Sequence, residues 1–391
     1  MNKFPAIWAV WPCVFLLACG GGGNGDANGG GSDGGGATVD GGVAPDRPPG
    51  TKAFVTVAPP DTGDGWRVST PGVEHMNEAA LQASLDYLLD QGSGGIDAIV
   101  VVRNDRLIAE AYYNGYDRDT PHDVRSVTKS ITSALTGIAI ERGLLSLDDT
   151  LAQHIPDFER YPGIDARKRA IRIQDLLNMR TGMACDDGNV SSPGNERYMY
   201  EKADWVRFAL GIPMVQDPGV SMSYCSAGVM LLGHIIATRA GVKLEDFAAT
   251  QLFQPLGITN LGWVHSSMGI TNANSAFQIR ARDAAKFGTL YLNAGAWNGV
   301  PVIPESWVER SHTSTSSFAE ARGYGWLWWK SRFDVRGTPQ DGIFASGNGG
   351  NFIFVLPAER LVAVINASNY NRASRSETFF RTGILAAVLQ Q

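Results

Sequence analysis

The sequence is poor in the residues that most often carry metal and cofactor chemistry. Its 391 residues include only six histidines and four cysteines. The histidines are scattered, and from Thr51 onward no His-Glu-x-x-His pair marks a metal hydrolase. The same span holds no Gly-x-Ser-x-Gly elbow, no phosphate-cradling loop ending in Gly-Lys and no dinucleotide fingerprint. No metal and no cofactor is therefore expected. Positive charge is also scarce: 33 Lys and Arg stand against 39 Asp and Glu, a net charge of −6. Without a basic cluster, nucleic-acid binding has no electrostatic support. Outside the N-terminus no apolar run is long enough to cross a bilayer. What remains is ordinary for a globular protein, 44% hydrophobic and 18% charged, and long enough to bury a large core.

The first residues read as an address rather than as structure. Lys3 supplies a short positive region, Phe4 to Ala18 is mostly apolar, and the run ends Leu16-Leu17-Ala18-Cys19. Residues 1–18 are thus a predicted signal peptide. The ending resembles a bacterial lipoprotein cleavage site, which implies a lipid on Cys19 and a membrane-anchored, exported protein. An ordinary signal peptide with an incidental Cys19 is the alternative. Cys13 lies inside the apolar run and would be discarded. Residues 19–50 are Gly- and Pro-rich with almost no large apolar side chains, so they cannot fold alone. As a flexible tether they would reach on the order of 30 Å. Two cysteines then remain, Cys185 and Cys225. In an oxidising compartment they can pair, or they can stay as buried thiols; spacing does not decide between these.

From residue 51 the composition becomes globular. Asn77 to Gln91 carries Leu81, Leu85, Leu88 and Leu89 at helical spacing, with Asn77 as N-cap. Ile96 to Val102 and Leu107 to Tyr113 read as a hairpin about Asn104-Asp105. Residues 126–269 are mainly helical, with helix starts at Ser146-Leu147-Asp148-Asp149 and Ile173-Gln174-Asp175. A helix follows from Ala281. Strands return at Tyr324 to Trp329, Ile343 to Ser346, Phe352 to Leu356 and Leu361 to Asn366, before a closing helix from Ser376 to Leu389. The expected fold is α/β in the α+β sense. One antiparallel sheet is built from residues 51–125 and 270–391, flanked by helices, with an all-helical lobe over 126–269.

Three stretches carry chemistry. In Ser126-Val127-Thr128-Lys129 a polar turn becomes an apolar helix, so Ser126 lies in the first turn, among unpaired N–H groups, with Lys129 on the same face. A serine hydroxyl is a poor nucleophile until its proton is taken, and a neighbouring lysine can assist. Tyr224, on a loop before an apolar helix, can serve as a general base if an ammonium group stabilises its phenolate. Alone it reads as a half-buried aromatic with its hydroxyl on the backbone. Ser346-Gly347-Asn348-Gly349-Gly350 ends a strand in glycines, where a substrate can approach the backbone and an N–H can join that of Ser126 in an oxyanion hole. A plain hairpin loop has the same composition.

Six stretches in order make a resemblance: Ser126-x-x-Lys129, Leu176 to Gly182, Pro218-Gly219 with Tyr224-Cys225-Ser226-Ala227-Gly228, Pro255-Leu256-Gly257, Arg282 to Gly288, and Ser346 to Gly350. From Ile96 to the C-terminus the chain resembles the β-lactamase-related serine hydrolases, which include class C β-lactamases, D,D-peptidases, esterases and 6-aminohexanoate-dimer hydrolases. The resemblance implies a β-lactamase/transpeptidase-like fold, an acylated Ser126, and Lys129 and Tyr224 as proton-transfer groups. It implies substrate contacts from Ser226, Ser346, Gly347 and Asn348, and a small-molecule or peptide-like acyl substrate. Two motifs depart from the family. Ser226 stands where Tyr-x-Asn has its asparagine, and the Lys-Thr-Gly strand has no cation. Arg372 or Arg375 is a candidate replacement charge, and Trp326, Trp328 and Trp329 are candidate walls for an acyl pocket. An ester or amide hydrolase is the reading this favours. A β-lactamase or D,D-peptidase, or an inactive surface lipoprotein, are the alternatives.

Overall fold

A computed structural model describes residues 53–313, 315–319 and 322–389. The signal segment, Cys19 and the tether lie outside the described residues.

The architecture grows from one hairpin. Strand β2 (Ile96–Arg103) is buried along its whole length, because both faces of the sheet are covered. Val100 and Val102 point into one core, Ile99 and Val101 into the other. Asn104 and Asp105 turn the chain with φ of 50° and 63°, the left-handed values a two-residue hairpin requires. Strand β3 (Arg106–Tyr112) runs back against β2. With β1 (Phe54–Thr56), β4 (Ser316–Ala319), β5 (Arg322–Gly325), β6 (Trp328–Val335), β7 (Thr338–Gly347), β8 (Asn351–Leu356) and β9 (Leu361–Ala367), the spatial order is β1-β3-β2-β9-β8-β7-β6-β5-β4. Every neighbour in that order is antiparallel, and a short segment, Arg67–Val68, lies parallel to β3. The β2–β9 pair, Arg103 opposite Leu361 through Ile96 opposite Ala367, joins the two ends of the chain in one sheet as expected.

Helix α1 (Glu78–Asp90) and the helical segment 376–387 cover one face. Leu81, Leu85 and Leu88 face the sheet, and the Asn77 side chain accepts from the Ala80 N–H at 3.0 Å. Leu89, at the same spacing, is 47% exposed, outside the apolar stripe. The other face carries α2 (Val127–Glu141) and the lobe behind it. There α3 (Glu196–Tyr200) precedes α4 (Ser226–Ala240), which packs on α2. Helix α5 (Ala281–Leu292) returns to cover β8 and β9. Gly137 in α2 is a close approach: a Cβ there would lie 2.4 Å from the Trp307 ring.

Three expected elements differ. Ser146 to Asp149 is a turn, the Ser146 N–H donating to the Asp149 carboxylate at 2.7 Å, and the helix starts only at Leu151. Asp149 closes that turn instead of capping a helix, and Asp148 accepts from Gln174. Tyr324 to Trp329 is not one strand. Trp326 and Leu327 form a tight turn with φ of 57° and 60° between β5 and β6. Long apolar side chains rarely adopt this conformation. Here the Trp326 N–H donates to Asn178 Oδ1 at 3.1 Å, the Leu327 N–H to Leu177 O at 3.0 Å, and Ser130 Oγ to Leu327 O at 2.8 Å. The closing helix is broken into an α turn, a wide π turn at Phe380–Ile384 and a tight turn at Leu385–Ala387.

Candidate active site

Ser126 is placed by the backbone before it. Arg125 takes a φ of 51°, and its N–H donates to Asp123 Oδ1 at 2.9 Å. That kink delivers Ser126 as the N-cap of α2, with no capping hydrogen bond from its side chain, so the hydroxyl is not committed to the helix. Lys129, one turn on and 1% exposed, donates from Nζ to Ser126 Oγ at 3.0 Å and to Asn274 O at 2.9 Å. The same Nζ lies 5.0 Å from the centre of the Tyr224 ring. The Tyr224 phenol lies near enough to the Ser126 hydroxyl for that hydroxyl to lower its pKa. Burial raises the phenol pKa above its ordinary value, while the Lys129 ammonium and the Ser126 hydroxyl pull it down. Three side chains from two separate stretches thus meet at one hydroxyl.

The end of β7 closes the site from the sheet side. A Cβ on Gly347 would stand 2.1 Å from Val124 O and 3.2 Å from the Ser126 nitrogen. Only bare backbone fits there. The glycine turn beyond it is pinned by Asn351, whose Nδ2 donates to Asn348 O at 2.9 Å and to Ala367 O at 3.2 Å. Ser346 pairs with Phe352 across β7 and β8. The Asn348 side chain is occupied with Asn371, donating to its Oδ1 at 2.7 Å and accepting from its N–H at 2.9 Å. The backbone at this turn, and not the Asn348 side chain, is left to face Ser126. Ser226 turns inward, its hydroxyl donating to Glu196 Oε2 at 2.8 Å.

The other expected contributors separate. Of the three tryptophans only Trp329 reaches the site, stacked on Tyr224 at 5.8 Å with Tyr324 set edgewise at 4.8 Å. Trp328 is core, 4.4 Å from the Tyr291 ring, and Trp326 packs on Trp307. Arg375 lies beside Gly94, and Arg372 is exposed after the last strand. Arg125 is the cation nearest Ser126 in sequence, but its guanidinium is paired with Asp123 at 3.1 Å and lies 4.4 Å above the Tyr370 ring. Ala345 occupies the strand position where a lysine or histidine was missing from the sequence. His122 belongs to a buried group of its own, Nε2 standing 3.0 Å from Asp97 Oδ2. Ser368 donates to the same carboxylate, so this Ser, His and Asp grouping is tied up internally.

Two acids escaped the sequence reading. Asp187 and Glu196 stand behind Tyr224, both half-buried. Burial pushes the Asp187 carboxyl up to about 6, with the neighbouring Glu196 charge adding to the effect and Lys129 opposing it. The one available signal was Cys185, two residues before Asp187. Cys185 and Cys225 are joined by a disulfide, Cα to Cα 5.4 Å, which carries Asp187 to the Tyr224 loop.

The β-lactamase family model matches residues 81–385. The chain belongs to the β-lactamase family. It is a serine hydrolase of that family, and its helix and antiparallel-sheet architecture is the family's. The 6-aminohexanoate-dimer hydrolase of Paenarthrobacter ureafaciens is 24% identical over 317 residues, 75% of this chain and 77% of the relative. A candidate D-alanyl-D-alanine carboxypeptidase of Salmonella heidelberg is 24% identical over 365 residues, 75% and 83% of the two chains. Among solved structures, a class C β-lactamase of Rhodobacter sphaeroides aligns with a TM-score of 0.59 at 18% identity, covering 78% of this chain and 99% of that one. EstCE1, described as a hydrolase with promiscuous acyltransferase activity, aligns with a TM-score of 0.66 at 16% identity, covering 80% and 100%. At these identities the solved structures speak for the fold of this β-lactamase-family chain.

Proposed function

We propose that this β-lactamase-family protein hydrolyses a carboxylic ester or amide through an acyl-enzyme on Ser126. The observation that carries the reading is the convergence on the Ser126 hydroxyl of the Lys129 ammonium at 3.0 Å and the Tyr224 phenol. In acylation Ser126 Oγ bonds to the carbonyl carbon and the bond to the leaving group breaks. The serine proton passes to Tyr224 and on to the leaving oxygen or nitrogen. Water then attacks the acyl carbon, its proton passes to Tyr224 and on to Ser126 Oγ as the acyl–Oγ bond breaks, and the acid is released. The Ser126 N–H and a backbone N–H at the Gly347 turn stabilise the tetrahedral oxyanion in both steps; one such donor is typically worth about 100- to 1,000-fold in rate. Lys129 favours the phenolate that does the work of the base.

Substrate class follows from charge. A β-lactam or a D-alanyl peptide brings a carboxylate beside its scissile bond. Ala345 leaves that strand position without a cation, and the Arg125 guanidinium is already paired. Esters and amides without a neighbouring carboxylate suit the site better. The comparison is direct: p-nitrophenyl esters, nitrocefin and D-alanyl-D-alanine peptides, each assayed with wild type and Ser126→Ala. Faster turnover of the esters, lost in the variant, supports the reading. Faster turnover of nitrocefin or the peptides would replace it with the β-lactamase or peptidase alternative. A binding role would require that Ser126 take no acyl group from any of them.

The location proposed for the enzyme is the periplasmic or outer face of a bacterial membrane, on a lipid at Cys19 and a tether of about thirty residues. Cys19→Ala should move the activity from the membrane to the soluble fraction. Wild-type activity already soluble, with an unlipidated terminus, would contradict it.

A further inference from the structure

The pair Asp187 and Glu196 is used by none of the steps above, yet it is wired to both proton-transfer groups. Asp187 brackets Tyr224: its N–H donates to Tyr224 O at 2.9 Å, and its Oδ2 accepts from the Ser226 N–H at 2.7 Å. Its Oδ1 accepts from the Glu196 N–H at 3.0 Å, which locks the two acids together. Glu196 Oε2 gathers three donors, Ser226 Oγ at 2.8 Å, Tyr200 Oη at 3.2 Å and Asn274 Nδ2 at 3.4 Å. Asn274 Nδ2 also donates to Tyr200 Oη at 2.7 Å, and the backbone carbonyl of Asn274 holds Lys129 Nζ at 2.9 Å. One branch of the network ends on the Tyr224 backbone and the other on the Lys129 ammonium.

Ser226, at the start of α4, is buried and is held inward by Glu196. We propose that Asp187 and Glu196 are positioning residues, an acidic brace that sets Tyr224 and Lys129 against Ser126. The brace rests on the reading of Ser126, Lys129 and Tyr224 as the reacting groups. Its action is electrostatic as well as geometric. The Asp187 carboxylate and the Lys129 side chain attract each other, and misplacement of a reacting group by about 1 Å can cost about 100-fold in rate.

The charges facing Asp187 are Glu196 and Tyr200 from α3, Lys129 from α2 and Tyr224 from its own loop. Because folding raises the Asp187 pKa, its contribution to stability is fully present below its unfolded value and is lost as pH rises through about 6. The ionised brace is therefore held at a cost in stability. A residue kept only for structure should not behave in this way.

The test uses the full-length enzyme and its best ester, with wild type, Asp187→Asn, Glu196→Gln and Ser126→Ala measured from pH 5 to 9 and melted at pH 8. Both brace variants should lose about 10- to 100-fold in kcat with KM changed less than about threefold. Wild-type kcat should fall toward the Asp187→Asn level as pH drops through 6, and the variant should show no such limb. Its melting temperature at pH 8 should be unchanged or higher. Wild-type kcat and pH profile in both variants would overturn the brace, as would kcat and melting temperature falling together with the acid limb intact. Turnover persisting in Ser126→Ala would instead overturn the underlying mechanism, so the two failures are separable.

Discussion

Gly347 carries the residue-scale demand that bears most directly on Ser126. Its missing side chain lets β7 slide past Val124 O and the Ser126 nitrogen, where a Cβ would be 2.1 Å and 3.2 Å away. Gly347→Ala must push the strand from the nucleophile or distort the turn before α2. It should lower kcat about 100-fold, the scale of a displaced oxyanion donor, while the melting temperature falls modestly. Steady-state kinetics with the best ester measure this, and wild-type kcat in the variant would show that the turn is no part of the oxyanion hole. Lys330 makes a different residue-scale prediction. Buried on β6, its amine donates to Gly325 O at 3.0 Å, and burial pushes its pKa down to about 7. A base with a lowered folded pKa contributes stability above its unfolded value, and that stability is lost as pH falls toward 7. The melting temperature should therefore rise between pH 7 and 10, and Lys330→Met should flatten the rise. An identical slope in the variant would contradict the assignment.

At the scale of elements, the helices and strands that build the scaffold were legible because period and burial agree. Leu81, Leu85 and Leu88 repeat as a helix, and Ile96 to Val102 is apolar apart from Asp97 because both its faces are covered. The Trp326-Leu327 turn was not legible. Its conformation is imposed by Asn178, Leu177 and Ser130, residues remote in sequence that local preference cannot register. Asp187 and Glu196 were hidden for a related reason: a loop acid and the first residue of a five-residue helix show no period, and a disulfide that spans 40 residues ties the Asp187 loop to Tyr224. That crosslink gives the element-scale prediction. A loop of this length is worth roughly 3–4 kcal/mol in the chain-entropy account. Cys225→Ser should show that loss in denaturant unfolding. It should also lower kcat of the still-folded enzyme about tenfold, since the Tyr224 loop loses its anchor. Thiols that prove free and alkylatable in the active wild-type enzyme would remove this account.

Across the whole molecule, the site lies where the chain's two ends meet its middle. The sheet, closed by the β2–β9 pair, offers the end of β7; the lobe offers α2 and the loop into α4. Ser126 and Lys129 were readable because they share one helix turn, and Tyr224 because its loop precedes an apolar helix. Their meeting at one hydroxyl is a tertiary fact that only the ordered set of six stretches foretold. The account as a whole depends on that hydroxyl. The most direct measurement is the intact mass and peptide map of the enzyme after a fluorophosphonate or a slowly hydrolysed ester, in wild type, Ser126→Ala and Lys129→Ala. The account predicts one adduct on wild type, located at Ser126, none on Ser126→Ala, and a rate of labelling lowered by at least about 100-fold in Lys129→Ala, because the two residues act as a unit. An adduct on another residue, or Ser126→Ala turning over ester at the wild-type rate, would contradict it.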